Sequence, residues 1–136
     1  MCIRDSIKGD MFSCPDGLWV DGRGVLWIQC DMSTSAMGKG ELKNFGNNMM
    51  LAADTRTGEA RRFLVGPAGC EITGATGTPD GKTMFINIQH PGEPADEISD
   101  PKNPRAISNW PEKKATGRPR SATVVIRKAD GGVIGT

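Results

Sequence analysis

Apolar and β-favouring residues occur in short runs along the chain, and almost every run is closed by a turn built on Gly, Asp or Pro. Leu18-Trp19-Val20 leads through Asp21-Gly22-Arg23-Gly24 into Val25-Leu26-Trp27-Ile28-Gln29. Two such runs around a Gly/Asp turn predict a β-hairpin. Ser33 to Asn48 is polar and glycine-rich, a loop. Asn48 to Asp54 has helix-favouring residues but falls short of the roughly 10–12 that a helix needs. Thr55-Arg56-Thr57-Gly58-Glu59 then turns the chain into Ala60-Arg61-Arg62-Phe63-Leu64, which predicts a second hairpin. Glu71 to Thr76 is a third candidate strand, and Pro79-Asp80-Gly81-Lys82 turns it into Thr83–Gln89. From His90 to Ser121 the pattern lapses, and six prolines fall in that stretch. It predicts a long irregular excursion, with Trp110 in Asn109-Trp110-Pro111 as the residue that pins it to the body. Ala122–Lys128 returns to strand, Asp130-Gly131-Gly132 turns, and Val133–Thr136 offers a closing edge segment. Residues 1–10 show no period and are expected to form a ragged or artificial start.

Pro15-Asp16-Gly17 before Leu26-Trp27-Ile28, and Pro79-Asp80-Gly81 before Met84-Phe85-Ile86, repeat one arrangement, a turn ahead of an aromatic-centred strand. Such repetition fits the four-stranded sheets of a propeller, although Pro-Asp-Gly also recurs wherever chains turn. Composition sharpens the picture. Apolar residues make up 37% of the chain, with 18 glycines and 9 prolines, against roughly 45–50% apolar in a typical globular domain. A core this thin is expected to lean on further elements. The fold class predicted is all-β: a C-terminal fragment of a β-propeller, about two blades over residues 11–136, with a long proline-rich insertion at 90–121.

Charge excludes more than it suggests. With 17 basic and 16 acidic residues, the net charge is +1 and the signs are mixed. Neither a basic track nor interleaved stacking aromatics is present, so nucleic acid is not an expected partner. The pairs Arg61-Arg62 and Arg118-Pro119-Arg120 are either solvated surface sites or contacts for one anion. No apolar run approaches the ~20 residues of a membrane span. Cys2, Cys14, Cys30 and Cys70 include no C-x-x-C pair, which favours structural or free thiols over zinc.

Glu71 stands among small residues, Gly66-Pro67-Ala68-Gly69-Cys70 before it and Ile72-Thr73-Gly74 after it. Small flanking residues let a ligand approach the backbone, and a carboxylate is an oxygen donor suited to a hard cation. The alternative is an exposed loop glutamate. Strand alternation would bury Cys70 and turn Glu71 the other way, toward a cavity. His90, the single histidine, follows a strand and precedes Pro91-Gly92-Glu93. It is either a strand-end contact or a group that orients phosphate and donates a proton near neutral pH. Gln89 and Glu93 are polar neighbours. Asp16, Asp21 and Asp31 are spaced as turn residues, without the acidic ladder of an EF-hand. The chain contains no P-loop, no dinucleotide fingerprint, no H-E-x-x-H helix and no nucleophile elbow.

Several of these segments together resemble a known family. Phe12-Ser13-Cys14-Pro15-Asp16-Gly17-Leu18, Arg61–Pro67, Cys70-Glu71-Ile72-Thr73-Gly74, Phe85–Glu93 and Arg118-Pro119-Arg120-Ser121-Ala122 are similar to the C-terminal part of PhoX-type alkaline phosphatases. The resemblance runs from about residue 11 to the end, and its most specific part is Gln89–Glu93 with the Glu71 context. It implies a β-propeller hydrolase of phosphate esters with a calcium and iron cluster in its channel. Glu71 would be a calcium ligand; His90, Arg118 and Arg120 lie within family-like segments and are taken as the candidate catalytic groups. The iron-binding cysteine and other ligands would lie upstream, so the isolated chain is expected to be inactive without the upstream blades. Export to the periplasm or cell exterior is also implied. Two alternatives remain at this level: a non-catalytic propeller that binds a ligand or protein, and a calcium-dependent lactonase-like hydrolase, which shares Pro-Asp-Gly-Leu and Gly-x-Leu-Trp.

Overall fold

The structure, a computed structural model, describes residues 8–95 and 100–135. Its strands are β1 (Lys8–Gly9), β2 (Pro15–Val20), β3 (Val25–Cys30), β4 (Met49–Asp54), β5 (Glu59–Val65), β6 (Glu71–Gly77), β7 (Met84–Gln89) and β8 (Ala122–Ile126). One 3₁₀ turn, Gly40–Leu42, is the only helical element among the described residues. The strands form a five-stranded sheet ordered β1-β5-β4-β3-β2 and a three-stranded sheet ordered β6-β7-β8. β2 to β5 make an antiparallel meander, and β6 to β8 make a second. These are two blades of a β-propeller, the all-β architecture the alternation predicts. β1 adds to β5 in parallel.

Period-two alternation decides what each face covers. Trp27 of β3, Met50 of β4 and Ile72, Ile86 and Ile88 of the second sheet are buried in one cluster between the sheets. The intervening positions, Ile28, Cys30, Met49 and Leu51, belong to a second cluster on the far side of the first sheet. That side is closed by Phe12 and by the predicted loop, which supplies Leu42 and Phe45. The loop is polar in composition, yet two side chains in it are core. At the centre of the inter-sheet cluster, Trp27 has no exposed surface. It stacks on Trp19 at 6.4 Å and meets Phe63 edge-on at 5.0 Å, the geometries that aromatic quadrupoles favour.

The excursion at 90–121 contains no strand or helix among its described residues. Trp110 packs against the inter-sheet cluster, as the anchor reading predicts. The closing segment differs from expectation. Val133–Gly135 is not a strand; instead Ile134 is buried between the sheets and its N–H donates to the Gly81 carbonyl at 2.9 Å. Burial of that one side chain turns the backbone away from the sheet edge. At the other end, residues 1–7, including Cys2 and most of the expected ragged start, lie outside the described residues. Lys8 and Gly9 pair with Glu59 and Ala60, and Asp10 accepts the Arg62 N–H at 2.8 Å. No helix among the described residues is long and apolar enough to cross a membrane.

Asp21 organises the first hairpin. Its carboxylate accepts from the N–H groups of Arg23 (2.9 Å) and Val25 (3.1 Å), from the Arg23 guanidinium (2.6 Å) and from the Trp27 indole (3.2 Å). Burial pushes its pKa up, but these hydrogen bonds outweigh it and hold the carboxyl below its ordinary 3.8. Because the folded value is lowered, its stabilising contribution is complete above about pH 4 and is lost as pH falls further. Asp21→Ala leaves the buried indole N–H unpaired and is expected to cost about 1–3 kcal/mol in denaturant unfolding at pH 7. The gap to wild type should narrow as pH drops below about 3.8.

Candidate functional site

Four strand ends meet at one end of the two sheets. Pro15 at the start of β2 pairs with Cys30 at the end of β3, and Glu71 at the start of β6 pairs with Gln89 at the end of β7. Asp16, Asp31, Glu71 and His90 therefore gather at the seam between the sheets. The segment before β6 is shaped by close approach. The Gly69 backbone has φ +65°, and a Cβ there would sit 2.8 Å from the Glu93 carbonyl oxygen. Only a glycine admits both conditions comfortably. In return Gly92 N–H donates to Ala68 O at 2.8 Å and Glu93 N–H to Gly69 O at 3.2 Å. The small residues noted in the sequence thus let two protein segments clasp each other.

Out of that clasp the pleat sends Cys70 and Glu71 in opposite directions. Cys70 is wholly buried in the inter-sheet cluster. Glu71 is 8% exposed, so it is not an exposed loop glutamate. Its Oε2 accepts from Gln89 Nε2 at 2.9 Å and lies 3.5 Å from His90 Nε2. The His90 Nδ1 atom is buried without a hydrogen bond, 3.6 Å from Glu93 Oε2. That distance is within ion-pair range but too long for a hydrogen bond. His90 has φ +36°, and its N–H donates to Ser121 Oγ at 3.0 Å. The imidazole is thereby held between two carboxylates.

Burial raises the Glu71 pKa most, the Asp31 charge raises it further and Asp16 adds to the effect, while His90 opposes them. A site that penalises its own carboxylate in this way is one that a cation would relieve. Asp16 and Asp31 are the residues that sequence reasoning passes over as turn formers. The signal that finds them is topological, their position at the β2–β3 strand ends level with Glu71. Among the described residues, no group of three or more His, Cys, Asp or Glu side chains is assembled closely enough to hold a metal ion. Glu71 by itself offers one carboxylate oxygen donor of the kind a hard cation takes.

The remaining candidates separate. Both Arg118 and Arg120 are exposed, and the Arg120 guanidinium is bound to Glu112, with Nε at 2.9 Å from Oε1. Arg61 pairs with Glu59 at 2.6 Å. Cys14, Cys30 and Cys70 are free. Burial pushes the Cys30 and Cys70 thiols up to about 12, so neither offers a thiolate at neutral pH. A cavity of about 690 Å³ lies at the other end of the sheets from Glu71, with Val25, Ala52 and Phe63 in its lining. Three of its arginines are tied to Asp21, Asp54 and Glu59.

Comparison with protein families matches residues 2–92 to the family described as alkaline phosphatase PhoX. Among solved structures, "Pseudomonas fluorescens PhoX in complex with vanadate, a transition state analogue" matches at 46% identity with a TM-score of 0.77. The match covers 92% of this chain and 19% of that one, so the chain spans about a fifth of the length of its structural relative. No curated protein matches.

The charge pattern at the seam has a measurable consequence. A raised folded pKa means that ionising Glu71 opposes folding; the penalty is absent below its ordinary 4.5 and accrues as pH rises through the raised value. Glu71→Gln keeps an acceptor for Gln89. With chelator present it is expected to raise the thermal midpoint at pH 7–8, and the gain should disappear below about pH 4.5.

Proposed function

The chain belongs to the alkaline phosphatase PhoX family, and on that premise we propose that it contributes one wall of a phosphate-ester hydrolase, with Glu71 holding a cation at the reacting end of the propeller channel. The observation that carries the reading is a carboxylate, buried at 8% exposure, facing the fields of Asp31 and Asp16. A relative of 46% identity bound to vanadate, a transition-state analogue, supports the same reaction class. Phosphoryl transfer asks the protein mainly for positioning and for positive charge near the phosphate oxygens. A bound cation supplies that charge, and Glu71 would anchor it.

Calcium suits Glu71, since it takes six to eight oxygen donors and one carboxylate is a natural member of the set. Iron, if part of the centre as the family resemblance implies, takes its ligands elsewhere, since the Cys30 and Cys70 side chains are wholly enclosed in the two core clusters. In this reading His90 helps to orient Glu71, whose Oε2 lies 3.5 Å from its Nε2. Arg120 is committed to Glu112, so Arg118 is the better placed of the two arginines to meet an anionic substrate. Action in the periplasm or outside the cell completes the proposal.

Substituting this chain for the matching segment of the Pseudomonas fluorescens protein gives a direct test. The chimera should hydrolyse p-nitrophenyl phosphate in calcium, lose turnover on chelation, and lose about 10²–10³ in kcat with Glu71→Gln, as expected when transition-state charge stabilisation is removed. The isolated chain should show no turnover. Chimera activity indifferent to both chelation and Glu71→Gln would overturn the assignment.

A further inference from the structure

Asn48 is one of four buried polar or charged side chains among the described residues, and it is 1% exposed. It sits at the entry to β4, in the first sheet. Its Oδ1 accepts from the Met32 N–H at 2.5 Å. Its Nδ2 donates to Met32 O at 3.1 Å and to Cys70 O at 2.9 Å. Both amide protons and one acceptor site are therefore in use, all on backbone partners. Its own carbonyl accepts the Gly66 N–H at 2.8 Å.

Those partners are informative by position. Met32 follows Asp31, and Cys70 precedes Glu71. One side chain thus fastens the corner bearing Asp31, in the first sheet, to the strand start bearing Glu71, in the second. Asp31 is also the neighbouring charge with the largest effect on Glu71. The geometry points to Asn48 as a positioning residue: its carboxamide sets the separation of the Asp31 and Glu71 carboxylates across the seam. Asparagine suits the task because two carbonyls need donors while one N–H needs an acceptor. An aspartate of the same shape would face both carbonyls with an anionic oxygen, and an alanine would leave three buried backbone groups without partners.

The positioning itself can be read without any metal; its consequence for calcium rests on the cation reading of Glu71. In the full chain with chelator, the Gln89 side-chain amide resonances report the Glu71–Gln89 hydrogen bond by NMR. Asn48→Ala and Asn48→Asp are expected to shift those resonances, whereas Ile126→Ala, a core change at the opposite end of the second sheet from the Glu71–Gln89 pair, should lower the thermal midpoint and leave them in place. Asn48→Ser, which retains a donor, serves the same comparison if the larger changes abolish the fold. With calcium chloride added to the chimera described above, Asn48→Ala should weaken calcium binding at least tenfold in calorimetry. Gln89 resonances that do not move in any folded Asn48 variant overturn the positioning role, whatever calcium does. Shifted resonances with no calcium binding in the parent chimera uphold the positioning role and sink the cation reading instead. Shifted resonances with an unchanged calcium affinity overturn the claim that the spacing serves a cation.

Discussion

The two sheets are held together at Trp27, and most of the molecule can be understood from what that side chain requires. It lies wholly buried between Trp19 and Phe63, in the layer shared by both sheets. Its indole N–H needs an acceptor once water is excluded, and Asp21 supplies one from the tight turn of the same hairpin. Turn, strand pairing and inter-sheet core are thus one connected arrangement. Around Trp27, Met50, Ile72, Ile86 and Ile88 fill the rest of the layer between the sheets.

The same seam that is apolar in its middle is polar at its end. There the strand starts and finishes of both sheets come level, and the chain places Glu71, His90, Asp16 and Asp31 together. Backbone donors and acceptors hold the frame: Gly92 and Glu93 against Ala68 and Gly69, and Asn48 against Met32 and Cys70. The carboxylates themselves are left in mutual repulsion. Such a local conflict, surrounded by a consistent frame, is where function is expected to lie.

The strands were legible because alternation and Gly/Asp turns act locally. The hairpins at Asp21–Gly24 and Thr55–Glu59 both form, as does the strand that begins at Glu71. The irregular character of the 90–121 stretch was legible from its prolines, and Trp110 from its isolation among polar residues. Leu42 and Phe45 were not, since a polar loop gives no sign that it folds back over a sheet. Asp16, Asp31 and Asn48 were hidden for a related reason. Each is an ordinary turn or loop residue until strand pairing brings residues 16, 31 and 48 together at one end of the first sheet, and stacking of the second sheet sets Glu71 beside them. Glu71 was singled out by its small neighbours, of which Gly69 serves the clasp with Gly92–Glu93.

The placement of Glu71 and His90 on one sheet, with Asp16 and Asp31 on the other, gives the seam a thermodynamic role. Anything that binds between them and neutralises their repulsion adds its binding free energy to the adhesion of the sheets, by mass action. Occupancy and mechanical cohesion of the blades are then two readings of one equilibrium. A ligand held only by the folded seam therefore makes the joined sheets harder to unfold as its concentration rises.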